Sequence, residues 1–175
     1  VRCTFSPTWP ACPTVGVNLP PTLGGTGHNR WPTVSQTNTM YAIKTEVTDP
    51  SAASWDFEAQ KTMYGGKNIA VGDEVFVFAR ENEGGVGLLA AGTVAAAKAT
   101  PKRVGIERQT PRVSINVNRM RSAKRRLGRT ELNPYCQWND GRPETELNFK
   151  FYRQATNKIV GLSAEAAAFL RSYFE

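Results

Sequence analysis

The chain has 175 residues, 40% of them hydrophobic and 21% charged, with a formal net charge of +7 and a pI near 9.6. That length allows one domain with a proper core, and that composition excludes wholesale disorder. A run of about eighteen apolar residues is absent, so no helical membrane span is expected, and the positive balance favours an anionic partner, nucleic acid first.

A basic protein that merely stays soluble is the plainer alternative on charge alone. Cys3, Cys12 and Cys136 are odd in number and widely spaced, which argues against a disulfide framework and against zinc. The expected setting is therefore a reducing cytoplasm, and the expected state a monomer. His28 is the single histidine, so neither His-based catalysis nor one of the common zinc sites is expected. No cofactor is expected.

Residues Val1 to Thr39 contain no Asp or Glu, are rich in Pro, Thr and Gly, and show no periodic pattern. They read as a poorly ordered or non-native extension, with Met40 the natural start and residues 40–175 a single domain. On that reading His28, Trp9, Trp31, Cys3 and Cys12 carry no function. The other reading is an arm that orders on nucleic acid, although only Arg2 and Arg30 are charged. An apolar segment with a basic flank is missing, so a secretory signal is not expected.

Met40 to Val47 is a predicted strand with Lys44 and Glu46 at its end. Asp49-Pro50 reads as a helix start, and Ser51 to Tyr64 as a helix stopped by Gly65-Gly66. Trp55, Ala59 and Met63 would then share one apolar face. Val71-Gly72-Asp73 turns into a strand over Glu74 to Arg80. The polar loop Glu81 to Gly85 reverses the chain into a second apolar run, Val86 to Val94. Gly87 and Gly92 inside that run suggest bulges or a tight bend, as in a small closed barrel.

From Lys98 to Arg129 the cations Lys98, Lys102, Arg103, Arg108, Arg112, Arg119, Arg121, Lys124, Arg125, Arg126 and Arg129 face Glu107 alone. Arg112 to Asn118 alternates as a strand, and Arg119 to Leu127 reads as a short basic helix ended by Gly128. Asn133 to Pro143 is turn-rich. Leu147 to Tyr152 alternates as a strand, and Ile159-Val160 continues the sheet. Ser163 caps a last helix, Ala164 to Phe174, with Glu165 in its first turn and Phe169, Leu170 and Tyr173 toward the core.

The turn "VGD", the alternating Val/Phe strand, the glycine turn and the following "GVG…A.G.V" resemble the central hairpin of PUA-like barrels. The EVE branch, a sister of the YTH domains, is the most similar. Such domains open on a strand ending in Lys-Ser-Glu-Pro, followed by a Trp. Here the chain has Lys44-Thr45-Glu46, then Asp49-Pro50 and Trp55, with Val47 in place of the proline. The resemblance spans roughly Met40 to Ala97 and resumes from Leu147 to Phe174. It implies an α+β fold, a PUA-like small mixed β-barrel flanked by helices. It also implies a pocket for a modified base turned out of its strand.

Such a pocket needs aromatic faces, hydrogen-bonding groups for the base edge, and cations for phosphate. Trp55 and Trp138 are the candidate walls; core packing is the other reading of Trp55, and Tyr64 and Tyr135 are further aromatic candidates with structural alternatives. Lys44 and Thr45 stand where the family has its Lys-Ser, so the resemblance implies contact with the base; a solvated strand-end cation is the other reading of Lys44. Asn68 offers an amide to an adenine-like edge or caps a loop. Arg119, Arg121, Lys124, Arg125, Arg126 and Arg129 suit phosphates, with Arg121, Lys124, Arg125 and Arg129 sharing a face if helical; a solvated charged face is the alternative.

The favoured function is a non-catalytic reader that binds DNA or RNA through a modified base. One alternative is an amidohydrolase of the related ASCH type, acting on a modified pyrimidine nucleoside through Lys44, Thr45 and Glu74 or Glu46. A structural or interaction module is the other.

Overall fold

In the computed structural model of the protein, residues 40–137, 139–153 and 157–175 are described. The N-terminal extension expected at 1–39 and the candidate pocket wall Trp138 lie outside the described residues.

The strands are β1 (Met40–Thr45), β2 (Ser54–Met63), β3 (Glu74–Ala79), β4 (Gly87–Thr100), β5 (Arg112–Ser122) and β6 (Lys158–Leu162). They close into a barrel in the order β1-β3-β4-β5-β2-β6. Pairs β1–β3 and β2–β6 are parallel and the others antiparallel. The helices are α1 (Arg129–Leu132), α2 (Pro143–Tyr152) and α3 (Ala164–Arg171). Among the described residues, no helix is long and apolar enough to cross a membrane.

Two apolar layers follow from the period of two. Tyr41, Ile43, Val75 and Val77 turn into the barrel, where they meet Trp55, Phe57, Val94, Ile115, Val117 and Ile159. Their neighbours Ala42, Phe76 and Phe78 turn outward and pack under Leu147 and Phe151 of α2 and Ala167 and Leu170 of α3. Strands β1 and β3 are thus buried on both faces, which explains why they read as continuous apolar runs. Strand β2 has one buried face over Trp55 and Phe57 and alternates there.

Three sequence expectations are corrected. The helix expected over Ser51 to Tyr64 is β2. Its pairing with β5 shifts between Phe57 and Gln60, and Ala59 adopts a φ of 44° in that bulge. The bulge breaks the alternation and leaves Trp55, Ala59 and Met63 at a helix-like spacing. The strand expected over Leu147 to Tyr152 is the end of α2, which buries Leu147, Asn148 and Phe151, one and four positions apart. Pro143 opens it, with Glu144 and Glu146 in its first turn. The helix expected over Arg119 to Leu127 does not form: β5 runs on to Ser122, followed by an irregular segment. The shared basic face drawn for that helix therefore does not exist.

Other expectations stand. The β3–β4 hairpin forms, with β4 longer than the apolar run that announced it. Ser163 Oγ accepts the Ala166 N–H at 3.0 Å and caps α3.

Gly87 joins the irregular segment to the sheet. Its φ is +81°, and an added Cβ would sit 2.3 Å from the Leu127 carbonyl oxygen, which accepts the Leu88 N–H at 2.8 Å. Gly87→Ala is expected to cost about 2–3 kcal/mol in urea unfolding, from left-handed strain plus a backbone clash. Gly105, with φ +83° and open space around it, serves as the control; Gly105→Ala costs about 1 kcal/mol. Equal losses at the two sites would remove the packing role of Gly87.

Candidate nucleic-acid interface

Because β1 and β3 are parallel, their C-terminal ends lie side by side, with Thr45 opposite Ala79. The Arg80 N–H donates to the Thr45 carbonyl at 3.0 Å. The chain then enters a 3-10 turn over Glu81–Glu83, which sets Glu81 against Lys44. Lys44 shares the outward parity of Ala42 and so points toward α2. Its ammonium lies 3.3 Å from Glu81 Oε2 and 3.6 Å from the centroid of the Tyr152 ring. The Tyr152 hydroxyl donates to the same Oε2 at 3.0 Å, and the Arg129 backbone N–H donates to Oε1. The Arg129 guanidinium lies 5.9 Å from the centre of the Tyr152 ring.

Glu81 thus gathers a strand, a helix and the start of α1. Burial pushes the Lys44 pKa below the ordinary lysine value, although the neighbouring Glu81 carboxylate opposes the shift. Burial, reinforced by Glu81, pushes the Tyr152 hydroxyl far up, so it remains a donor at any physiological pH. Lys158 pairs across from Lys44 on β6 and is only 1% exposed. Burial lowers its pKa, and the Lys44 charge lowers it further.

Lys44, Arg80, Glu81, Asn82, Arg129, Tyr152 and Asn157 line a narrow recess of about 20 Å³, room for about one water. A wider one of about 370 Å³, bounded by Glu58, Ala59, Gln60, Lys61 and Arg112, shares Arg80 and Asn157 with it. Together they form a groove that runs from α2 to the β2 bulge. Lys44, Arg80, Arg129, Lys61 and Arg112 supply its cations.

Of the residues predicted from sequence, the recess brings together Lys44 and Arg129. Thr45 is buried beside them and contributes its carbonyl to Arg80. Trp55 stands on the other side of the barrel wall, inside the core, stacked on Phe57 at 6.5 Å with its indole N–H on the Asp49 carbonyl at 2.8 Å. Tyr64 follows β2 and packs against Phe149 at 5.8 Å. Its carbonyl meets Gly161, three residues along β6 from Lys158, and exposed Asn68 lies in the nearby turn Gly66–Asn68. Tyr135 is half-buried just beyond α1.

The basic cluster is divided. Arg119 reaches the Pro50 carbonyl at 3.2 Å, and Arg121 pairs with Glu74 at 3.8 Å. Arg125 covers the Tyr173 ring at 4.4 Å, and the Lys124 N–H donates to the Tyr173 carbonyl. Arg126 pairs with Glu131 at 3.7 Å. The hydrolytic set is not assembled as drawn either. Glu74 begins β3 and binds Arg171, whereas Lys44 lies opposite Phe78 at the far end of that strand; Glu46 is exposed.

Sequence reading missed Arg80, Glu81, Asn82, Asn157, Lys158 and Tyr152. One signal was present for Glu81: it is the first acidic group after a doubly buried strand. Tyr152 carried none while its segment was read as a strand.

A closed six-stranded mixed barrel with helices over one face is the PUA-like fold. The DUF55 domain of human thymocyte nuclear protein 1 superposes with a TM-score of 0.55 at 17% identity, over 78% of this chain and 98% of that one. The same human protein in complex with 5-methylcytosine-containing DNA gives 0.54 at 17% identity, over 78% and 98%. A Pseudomonas putida protein gives 0.52 at 15% identity, over 78% and 99%. At these identities the likeness is one of fold. No protein-family profile and no curated protein matches the sequence.

Proposed function

We propose that residues 40–175 form an EVE-type reader that binds nucleic acid without catalysis and receives one everted, cytosine-like base at the mouth of the Lys44–Glu81 recess, where it opens into the wider space beside Arg80 and Arg112. The observation that carries this is the state of Glu81. A carboxylate offers about four acceptor positions, and donors from Lys44, Tyr152 and Arg129 occupy three. The fourth matches the exocyclic amine of cytosine, a donor that carboxylates accept. Tyr152 lines the recess with the Lys44 ammonium over its ring, while Arg80, Arg112 and Arg129 at the rim suit the flanking phosphates. The human fold neighbour bound to 5-methylcytosine DNA supports the choice of a modified cytosine as the first probe. A methyl group in such a slot is worth about 1–3 kcal/mol.

The test is anisotropy with short DNA and RNA strands, plain and 5-methylated, at two salt concentrations. Affinity is expected to fall steeply with salt, and one methylated strand to bind more tightly than its plain counterpart. Glu81→Gln keeps the salt dependence and loses the preference for cytosine. Equal affinity for every base would remove the base-reading role. No retention at low salt would remove the reader altogether.

A further inference from the structure

Strands β4 and β5 pair from Ala90 with Ser122 as far as Thr100 with Arg112. The loop joining them, residues 101–111, is exposed almost throughout. Gln109 holds it in one shape: its Oε1 accepts the Arg103 N–H at 2.8 Å, and its Nε2 donates to the carbonyls of Arg103 at 2.6 Å and Ile106 at 2.9 Å. At its tip Val104 is 101% exposed and Ile106 51%. Lys102, Arg103 and Arg108 lie in the same loop, with Lys98 and Arg112 at its foot and Glu107 as its single acid.

That foot is built into the groove. Arg112 donates to the Ala59 carbonyl at 2.7 Å, and Ser114 Oγ accepts the Ala59 N–H at 2.9 Å. The Pro111 carbonyl accepts both the N–H and the hydroxyl of Thr62, each at 2.9 Å. The left-handed backbone at Ala59 is therefore held by the same strand that carries the loop. Arg112 itself lines the groove beside Arg80.

Two exposed aliphatic side chains on a loop that also carries three exposed cations are poorly suited to free solvent and poorly suited to a neutral apolar partner. They match duplex nucleic acid, whose phosphates take the cations and whose base steps admit an apolar wedge. We infer that the β4–β5 hairpin is a second nucleic-acid contact: Lys102, Arg103 and Arg108 grip the backbone of a duplex, and Val104 and Ile106 enter the stack beside the base that the groove takes up. This rests on the nucleic-acid reading of the groove for the position of the wedge, but not for the contact itself.

The experiment uses the full chain and a short duplex carrying 5-methylcytosine with 2-aminopurine as its neighbour. Binding of the wild type raises the 2-aminopurine fluorescence as the step unstacks. Val104→Ser with Ile106→Ser removes that rise and weakens duplex binding about tenfold, while affinity for the single strand is unchanged. Lys102→Gln, Arg103→Gln and Arg108→Gln together lower the salt slope by about 2–3 for the duplex. Duplex binding and fluorescence identical to the wild type in the Val104/Ile106 variant would overturn the wedge. A wild-type dimer that the same variant dissociates would assign the tip to a second copy of the chain, and would overturn it too. If Glu81→Gln loses base preference and the hairpin variant still loses duplex unstacking, both readings stand. If wild type shows no base preference yet the hairpin variant loses duplex binding, the groove reading fails and the hairpin reading survives.

Discussion

Glu81→Ala is expected to destabilise the protein by about 3 kcal/mol, because it leaves a buried ammonium without its carboxylate. The Lys44 and Glu81 side chains are 10% and 15% exposed, so water offers little compensation. The Tyr152 hydroxyl and the Arg129 N–H lose their acceptor in the same step. Adding Lys44→Met to Glu81→Ala removes the stranded charge and is expected to restore at least half of the loss, a coupling that a double-mutant cycle in urea measures. Strict additivity would mean that the two groups do not act as a pair.

The same variant has a pH signature. Lys44 in the folded protein already titrates below 10.5 because of burial, and without Glu81 it titrates lower still. The unfolded chain then holds the lysine proton over a range where the folded chain has released it. Stability of Glu81→Ala therefore rises with pH between the depressed folded value and 10.5. Lys44→Met removes the Lys44 share of that rise and leaves the share of Lys158, whose pKa burial also lowers.

Phe151→Ala is expected to cost about 3–5 kcal/mol, the range for emptying a buried aromatic site. Phe151 is fully buried, with its ring 4.8 Å from that of Phe78 on the outward face of β3. This contact seats the last turn of α2, and the next residue is Tyr152. Nucleic-acid binding should therefore fall even at temperatures where circular dichroism shows the variant folded. Phe149→Ala, at a half-buried position on the same helix, should cost about 1 kcal/mol and spare binding. Equal binding losses in the two variants would mean that Phe151 does not act by positioning Tyr152.

The places where sequence reading failed share a cause. At β2 one bulge at Ala59 displaced the alternation and let a strand pass for a helix. At α2 the order Leu147, Phe149, Phe151 mimics a strand, because the helix also buries Asn148, whose amide donates to the Leu132 carbonyl at 2.7 Å. Local periodicity sees which residues are apolar. It does not see which polar residue has found a buried partner. The misread α2 then removed Tyr152 from consideration, and Trp55, chosen from the family resemblance, went to the interior of the barrel.

Strands β1 and β3, the β3–β4 hairpin, the capped α3 and the basic charge were determined by sequence alone, since each is a short-range pattern of side-chain type. The groove was not. Glu81 is separated from Lys44 by 37 positions, from Arg129 by 48 and from Tyr152 by 71. Only closure of the barrel and docking of α2 on its outer face bring them within hydrogen-bond reach. Burial then lowers the Lys44 pKa and raises that of Tyr152, shifts that no stretch of the chain holds by itself.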